Sequence, residues 1–276
     1  MKTIVITGSA RGFGFQLAKK FKENGFNVVL SDVNEANLEK AVEELGKMNP
    51  ESKVASTLCD VTKSEDVENL WGFAKKEFGS VDIWINNAGV NSPNKGVYEL
   101  EAREIDFILN VDLKGTIYGS KIAFKGMKEQ GFGQIYNVEG YGSNDAMMTG
   151  LTMYGTAKRA VTYFTKSLQK ESDDLTEGKV KVCLLTPGIM ITDFITHANG
   201  DKTKVELSEK TKKVYNILGD YPETIVDYVV PRMIKNEKNG YNVVWLTNRR
   251  AFRRFLFAGF NKRDFFAEKK DCESES

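Results

Sequence analysis

Residues 3–14 read TIVITGSARGFG, and this stretch decides the fold of the chain. Its first half is an apolar, β-branched run that predicts a buried strand over Thr3–Thr7. The glycines at positions 8, 12 and 14 permit a tight turn and let backbone amides at a helix N-terminus approach a phosphate closely. Asp32 follows Gly14 by 18 residues, at the end of the next apolar run. Strand, glycine turn, helix and carboxylate in this order predict a dinucleotide-binding βαβ unit.

Short apolar runs alternate with longer amphipathic stretches along the rest of the chain. The predicted strands are Thr3–Thr7, Asn27–Ser31, Lys53–Leu58, Val81–Asn86, Gln134–Val138, Val180–Thr186 and Val243–Leu246, and helices are expected near 13–24, 34–48, 64–78, 101–129, 152–171 and 222–237. This alternation predicts an α/β fold with a doubly wound parallel sheet. We predict one catalytic domain over residues 1–246 with a loop-rich insertion at 188–221. A basic-aromatic extension with an acidic tail follows over 247–276.

The composition excludes several classes of site. The chain of 276 residues has 39 basic and 38 acidic side chains, so its net charge of +1 favours neither nucleic acid nor an anionic membrane. Three widely spaced cysteines argue against a disulfide framework and fit a reducing compartment. His197 is the only histidine, which leaves little from which to build a metal site. With no signal-peptide pattern and no bilayer-length apolar run, we expect a cytoplasmic protein without a metal.

The choice between NAD and NADP depends on two side chains. The Asp32 carboxylate can accept hydrogen bonds from both hydroxyls of an adenosine ribose and would repel a 2′-phosphate. Arg11, in the glycine turn, has the opposite effect, because a guanidinium there could hold that phosphate. A buried carboxylate that faces a phosphate is the costlier conflict. We therefore predict NAD, with NADP as the alternative.

A tyrosine and a lysine four residues apart, Tyr154 and Lys158, are the candidate proton-transfer groups. Hydride transfer to a ketone leaves an alkoxide that needs a proton, and a phenol of ordinary pKa is a slow partner near neutral pH. The i, i+4 spacing places both side chains on one helix face. There the ammonium favours the phenolate and lowers the pKa of Tyr154. Tyr154 is expected to act as acid in reduction and as base in oxidation.

Further motifs follow in a fixed order. They are Cys59-Asp60-Val61, Asn86-Asn87-Ala88-Gly89, Asn110, Tyr154 with Lys158, and Pro187-Gly188-Ile189-Met190-Ile191-Thr192. Together with the glycine turn they resemble the short-chain dehydrogenase/reductase family over roughly residues 1–245. The resemblance implies a Rossmann fold, a nicotinamide dinucleotide and the interconversion of an alcohol and a ketone.

The resemblance also assigns roles by position. It makes Tyr154 the proton donor, lets Lys158 tune that donor and bond the nicotinamide ribose, and has Asn110 hold a water of the proton relay. The Asp60–Val61 pair brackets the adenine, and Thr192 holds the nicotinamide carboxamide. The whole implied cofactor set is Gly8, Arg11, Gly12, Phe13, Gly14, Asp32, Asp60, Val61, Asn87, Ala88, Gly89, Tyr154, Lys158, Pro187, Gly188, Ile189 and Thr192.

One part of the family pattern is missing. The family usually has Asn-(Ile/Val)-Ser-Ser after the fifth strand, and its second serine polarises the substrate oxygen, but residues 137–140 read NVEG. Counting forward from Asn137 reaches Gly140, and counting back from Tyr154 by the usual interval reaches Tyr141 or its neighbour. Neither position holds a serine.

Three residues remain as candidates for the missing donor. Gly140 and Gly142 let the chain bend as it leaves the strand, so Ser143 could enter the vacated place. Glu139 can accept but not donate a hydrogen bond while it is ionised. We predict that Ser143 is the donor, with Tyr141 as the second candidate and a protonated Glu139 as the third. The alternative is that Ser143 is an ordinary turn residue without a catalytic role.

Large, soft side chains flank the candidate site: Met147, Met148, Met153, Ile189, Met190, Phe194 and Ile195. Methionine adapts to irregular apolar shapes, which suits a bulky hydrophobic substrate, although ordinary packing under the insertion gives the same pattern. The sequence NVEGYGS at residues 137–143 resembles a branch of this family that includes chlorophyll b reductase-like proteins and some bacterial hydroxysteroid dehydrogenases. A Lys-rich composition without a transit peptide favours the steroid enzymes. The alternatives are a reductase of acyl or sugar ketones and a non-catalytic NAD-sensing protein.

Residues 249–266, RRAFRRFLFAGFNKRDFF, have the pattern of a basic amphipathic helix. Its apolar stripe is Phe252, Phe255, Leu256, Gly259 and Phe260. Such a helix can lie on an anionic membrane, or its stripe can pack on the protein's own substrate region or on another subunit. We predict that the stripe packs on protein and does not bind a membrane, because it is short and because the resemblance implies homodimers or homotetramers.

Overall fold

The computed structural model describes residues 1–195, 197–198, 203–204, 206–260 and 263–267. Their strands are β1 (Thr3–Thr7), β2 (Asn27–Asp32), β3 (Val54–Leu58), β4 (Ile83–Asn86), β5 (Gly133–Val138), β6 (Val180–Thr186), β7 (His197–Ala198), β8 (Thr203–Lys204) and β9 (Asn242–Val244). Seven of them form a parallel sheet in the order β3-β2-β1-β4-β5-β6-β9. This is the doubly wound Rossmann architecture that the sequence predicts. The β7–β8 pair is antiparallel and lies in the insertion.

The helices alternate with these strands. They are α1 (Gly12–Glu23), α2 (Glu35–Gly46), α3 (Ser64–Phe78), α4 (Ala102–Ile108), α5 (Thr116–Gln130), α6 (Thr152–Thr176), α7 (Glu209–Leu218), α8 (Pro222–Ile234) and α9 (Asn248–Leu256). A π-helical segment, Leu109–Gly115, joins α4 to α5. None of the helices within the described residues combines the length and the apolar character needed to cross a bilayer.

Each face of the sheet is apolar, and each is covered by helices. Successive side chains of a strand point to opposite faces, so Ile4 and Ile6 join one buried cluster while Val5 joins the other. The first cluster includes side chains of α1 and α8, and the second includes side chains of α3 and α5. With both faces covered, ligands have access at the carboxyl edge of the sheet, between strand ends.

A buried polar network fixes part of that edge. The Asn86 side-chain amide donates to Asn137 Oδ1 at 2.7 Å and to Ser120 Oγ at 3.0 Å. The Asn137 amide donates in turn to Thr165 Oγ1 at 2.9 Å. Because every one of these buried groups is paired, the network holds β4 and β5 against α5 and α6 in one arrangement.

The structure differs from the sequence prediction mainly in the helices. The single helix expected near 101–129 is divided into α4, the π-helical segment and α5. The insertion at 188–221, expected to be loop-rich, contains α7. The C-terminal extension begins with α9, as its pattern predicts, and the predicted acidic tail from residue 268 onward lies outside the described residues.

Candidate active site

Tyr154 and Lys158 lie in the first turns of α6, where both are buried. Lys158 Nζ is 5.5 Å from the centroid of the Tyr154 ring. A Cβ built on Gly140 would lie 2.2 Å from the Tyr154 hydroxyl, so this phenol rests directly over the backbone at the end of β5. The structure thus brings together the two predicted proton-transfer residues and the strand end where a serine was expected.

Burial dominates the ionisation of Tyr154. It raises the pKa of the phenol to about 12, even though the Lys158 ammonium acts in the lowering direction, and the Asp112 carboxylate adds to the rise. The sequence analysis expected a lowered pKa because it considered the ammonium and not the desolvation. The phenol therefore keeps its proton at neutral pH, as a proton donor requires.

Lys158 has a buried partner that the sequence analysis did not identify. Its Nζ lies 2.7 Å from Oδ1 of Asp112, and the other carboxylate oxygen accepts the Val90 amide at 3.1 Å. Burial acts to lower the pKa of Lys158, but the Asp112 carboxylate and neighbouring groups outweigh it and raise that pKa. Burial raises the pKa of Asp112 too, and the Lys158 ammonium opposes this rise. The distance between Lys158 Nζ and Asp112 Oδ1 is that of an ion pair, in which both side chains are charged.

Asn110 is half-buried in the π-helical segment, and no hydrogen bond of its side chain is found among the described residues. The predicted role of Asn110 in a proton relay therefore stays a prediction. Asp112 is the residue of this segment that reaches Lys158. A signal for it exists in the sequence, because Ile108, Val111 and Gly115 have the i, i+3, i+7 spacing of a buried face that includes position 112.

Glu139 is buried beside the site, but its carboxylate is already engaged. Oε1 accepts the Thr162 hydroxyl at 2.7 Å and Oε2 accepts the Thr186 hydroxyl at 2.5 Å. Both oxygens act as acceptors, which suits a carboxylate that ties β5 to α6 and β6. This arrangement does not favour a protonated Glu139 as the donor to a substrate oxygen.

The loop after β5 places Ser143 near the start of α6. Gly142 has a φ of 93°, and a Cβ there would lie 2.5 Å from the Gly155 Cα, so the loop backbone packs directly on the helix. The Ser143 residue is buried, and its carbonyl accepts a hydrogen bond from Arg159 at 3.0 Å. Tyr141 is more exposed than Ser143. The choice of Ser143 over Tyr141 as the donor stays a prediction.

The predicted cofactor turn has the open geometry that a pyrophosphate needs. Gly8 and Gly12 both have positive φ, 61° and 58°, and among the described residues no heavy atom beyond the chain neighbours and the helix's own backbone lies within 4 Å of a Cβ built on Gly12. A Cβ on Gly14 would lie 2.4 Å from the Gly8 carbonyl oxygen and 2.5 Å from the Asn87 amide nitrogen. Asn87 itself donates to the carbonyls of Thr7 and Gly8. Positive φ at Gly8 and Gly12 and the close contacts at Gly8 and Gly14 favour glycine here, and the turn leaves the N-terminus of α1 accessible, so the residues present fit a bound dinucleotide.

Asp32 lies beside this turn at the end of β2. Its carboxylate accepts the amides of Ala10 at 3.2 Å, Val33 at 2.9 Å and Asn34 at 3.2 Å. Val33 is 69% exposed, so an apolar side chain follows the carboxylate at the surface. Arg11 is exposed at the N-cap of α1, on the same turn.

The other predicted cofactor residues lie along the same edge of the sheet. Asp60 and Val61 follow β3. A Cβ built on Gly115 would lie 2.8 Å from the Val61 side chain, so Val61 packs directly on the backbone there. Gly89 follows β4, and a Cβ there would lie 2.9 Å from Asp112 Oδ1 and 3.6 Å from Lys158 Nζ. The remaining members of the set follow β1, β4 and β6: Phe13, Ala88, Pro187, Gly188, Ile189 and Thr192.

The candidate rim of the site consists of an aromatic ring near Tyr154 and of methionines on the loop before α6. The ring of Phe194 lies 6.0 Å from the Tyr154 ring, and Asn91 donates to the Phe194 carbonyl at 2.9 Å. Met147 is 91% exposed and Met148 is also exposed, on the loop that leads into α6. Large apolar side chains thus lie near the candidate proton donor and on the loop before its helix.

Comparison with known proteins agrees with this geometry. A family model described as short chain dehydrogenase matches residues 2–203. A probable chlorophyll(ide) b reductase of Oryza sativa subsp. japonica, named as chloroplastic, is 31% identical over 97% of this chain, which spans only 54% of that relative. A 3alpha-hydroxysteroid dehydrogenase of Mediterraneibacter gnavus is 34% identical over 70% of this chain and 76% of its own length.

Solved structures give the same result. The alcohol dehydrogenase of the archaeon Thermococcus sibiricus, complexed with 5-hydroxy-NADP, is 26% identical and superimposes with a TM-score of 0.73 over 89% of this chain and 96% of that one. The sheet order, the Tyr154–Lys158 pair and the family model agree with one another. The chain belongs to the short chain dehydrogenase family of oxidoreductases.

Proposed function

We propose that this protein is an NAD(H)-dependent oxidoreductase that interconverts a secondary alcohol and a ketone on a bulky apolar substrate such as a steroid. The observation that carries the proposal is the buried Tyr154–Lys158 pair next to the glycine-lined edge of the sheet. A Cβ built on Gly89, which follows β4 on that edge, would lie 3.6 Å from Lys158 Nζ. A cofactor bound along the edge would therefore end beside the proton donor.

The nicotinamide, when bound, supplies the hydride for reduction or accepts it in oxidation. In reduction, the Tyr154 hydroxyl donates its proton to the substrate oxygen as the carbonyl carbon gains the hydride. The Lys158 ammonium stabilises the phenolate that this transfer leaves, and Asp112 holds the ammonium in place. A phenol pKa of about 12 keeps the donor protonated at neutral pH, the state that proton donation in reduction requires.

Two observations support NAD rather than NADP. Asp32 presents a carboxylate beside the cofactor turn, where it suits a ribose diol and repels a phosphate. The exposed residue that follows it is Val33, which cannot bind a 2′-phosphate. Arg11 is the feature that favours NADP. Measured kcat/KM for NADH and for NADPH tests this choice.

The substrate class rests on the rim of the site. Phe194 packs near Tyr154, and Met147 and Met148 expose apolar surface on the loop that leads into α6. Such a rim suits a rigid, apolar ring system better than a polar sugar. The relative from Mediterraneibacter gnavus, which is named a 3alpha-hydroxysteroid dehydrogenase, supports the same class.

The decisive experiment follows NADH absorbance with steroid, acyl and sugar ketones, with wild-type protein and Tyr154→Phe side by side. We expect the wild type to oxidise NADH fastest with a steroid ketone and the variant to remain inactive. Faster turnover of an acyl or sugar ketone would instead support a reductase of that class.

A non-catalytic NAD-sensing protein is the second candidate, since residues 139–140 depart from the family pattern. NADH binding without its consumption by any ketone would support it.

Two further properties stay proposals. One is a homodimer or homotetramer formed through helix faces, for which Tyr163 on α6, 76% exposed, offers contact surface. The other is a cytoplasmic location. Light scattering and cell fractionation test them.

A further inference from the structure

The apolar face of α9 and of the turn after it is exposed. Phe252 is 69% and Phe260 is 91% exposed, and Phe255, Leu256 and Phe257 are each more than half exposed. The sequence analysis predicted that this stripe packs on the substrate region or on another subunit. Within the described residues the first of these is wrong, because the stripe points away from the protein. A contiguous exposed apolar patch of this kind marks an interaction surface.

The opposite face of α9 is fixed to the protein by arginines. Arg254 donates to Asp220 at 2.6 Å and to the Leu218 carbonyl at 2.8 Å. Arg250 stacks over the Trp245 ring at 3.6 Å, and Arg263 donates to Asp220 at 3.1 Å. These contacts hold the helix on α7 and β9, so the outward direction of the phenylalanines is a consequence of the fold.

Positive charge remains beside the apolar face. A cavity of about 500 Å³ is lined by Arg249, Arg250, Arg253, Arg254 and Arg263. Asp220 pairs with two of these arginines, while Arg249 and Arg253 are exposed and have no acidic partner among the described residues. The α9 sequence, NRRAFRRFL, contains no acidic residue. The surface therefore combines exposed aromatic rings with guanidinium groups available to an anion.

We propose that this face docks the protein on the surface of an anionic lipid bilayer. The phenylalanine rings would enter the interfacial region, and Arg249 and Arg253 would bind headgroup phosphates. A second copy of the chain fits the surface poorly. A symmetric contact would bring two copies of this positively charged patch together, and like charges at an interface repel. The charge pattern thus favours an anionic bilayer over self-association.

Co-sedimentation of the full-length protein with vesicles tests the proposal. We expect binding to vesicles that contain phosphatidylserine and little binding to pure phosphatidylcholine. The binding should weaken as salt is added, since exposed charges are screened. Replacing both outward arginines, Arg249→Gln with Arg253→Gln, should lower the partition coefficient by roughly 30-fold, at about a five- to sixfold loss per arginine. Phe252→Ser with Phe260→Ser should also reduce binding.

The matched control is Lys121→Gln with Lys125→Gln, which removes two exposed charges at the same spacing from α5 and should leave vesicle binding unchanged. Equal binding of wild type and the arginine variant to both kinds of vesicle overturns the proposal. So does binding of inorganic phosphate at these arginines without any vesicle binding. A dimer that is lost in the phenylalanine variant, again without vesicle binding, would make the face a contact between copies.

Discussion

At the scale of single residues, the proposed chemistry depends on Tyr154, and burial raises the pKa of this phenol so that it keeps its proton. Tyr154→Phe removes that proton and keeps the ring. We expect turnover to fall by at least about 10²-fold, the lower limit for losing a positioned acid or base, and NADH affinity to stay nearly constant. NADH absorbance gives the turnover, and fluorescence titration gives the affinity. Wild-type-like turnover in this variant would overturn the assigned mechanism.

Asp112 is expected to act through Lys158 and Tyr154. Its carboxylate raises the pKa of both groups, so the near-isosteric change Asp112→Asn lowers both. Oxidation of an alcohol needs the phenolate, and its pH–rate profile should therefore shift to lower pH. The buried ammonium also loses its counter-charge, and we expect about 3 kcal/mol less free energy of unfolding in urea.

The exposed change Asp106→Asn on α4 is the control for Asp112→Asn, and both its profile and its stability should match the wild type. A profile that stays fixed in Asp112→Asn would reduce this residue to a packing role.

The prediction that NAD is preferred to NADP depends on Asp32. Asp32→Ala removes the negative charge that repels a 2′-phosphate, and the ratio of kcat/KM for NADH to that for NADPH should fall by roughly tenfold, the effect of about 1.4 kcal/mol. Steady-state kinetics with both cofactors measures it. If the wild type already prefers NADPH, Arg11 and not Asp32 governs the choice.

At the scale of elements, we propose that the loop after β5 determines which hydroxyl reaches the substrate oxygen. We expect Ser143→Ala to cost on the order of 10²-fold in turnover, as for one aimed hydrogen bond to a developing oxyanion. Gly140→Ser restores the family's serine in sequence, yet its Cβ would lie 2.2 Å from the Tyr154 hydroxyl. We therefore expect this change to lower turnover as well. Kinetics of both variants against Tyr141→Phe tests the assignment, and a larger loss in Tyr141→Phe would transfer the role to Tyr141.

The elements also show what the sequence can and cannot predict. Strands such as β1 and β6 match their predicted bounds, because a short apolar run that is buried on both faces is typical of a strand in a parallel sheet. The π-helical segment was missed, since one extra residue per turn leaves no clear mark in the pattern. The position of Ser143 depends on the path through Gly140 and Gly142, and a glycine in a sequence permits a bend without giving its direction.

At the scale of the whole molecule, the C-terminal segment is part of the fold. A chain ending at Leu246 loses Arg254 and Arg263, and among the described side chains the buried carboxylate of Asp220 then keeps the indole of Trp245 as its one partner. We expect its free energy of unfolding to fall by roughly 3 kcal/mol, the cost of leaving a buried charge unpaired. Thermal and urea unfolding measure the loss. A chain ending at Ala267 keeps these contacts and should match the full-length protein, and an unchanged stability in the shorter chain would contradict this account.

Asp220 joins parts of the molecule that are far apart in sequence. Its backbone exchanges hydrogen bonds with Ile189 and Ile191, after β6, while its side chain binds Trp245, Arg254 and Arg263. Segments tied to one shared centre open together and not one by one. Amide hydrogen exchange should therefore show the loop after β6 and α9 protected to a similar degree, as one cooperative unit. Through this carboxylate, any restraint on the C-terminal helix also becomes a restraint on the loop beside the predicted nicotinamide position.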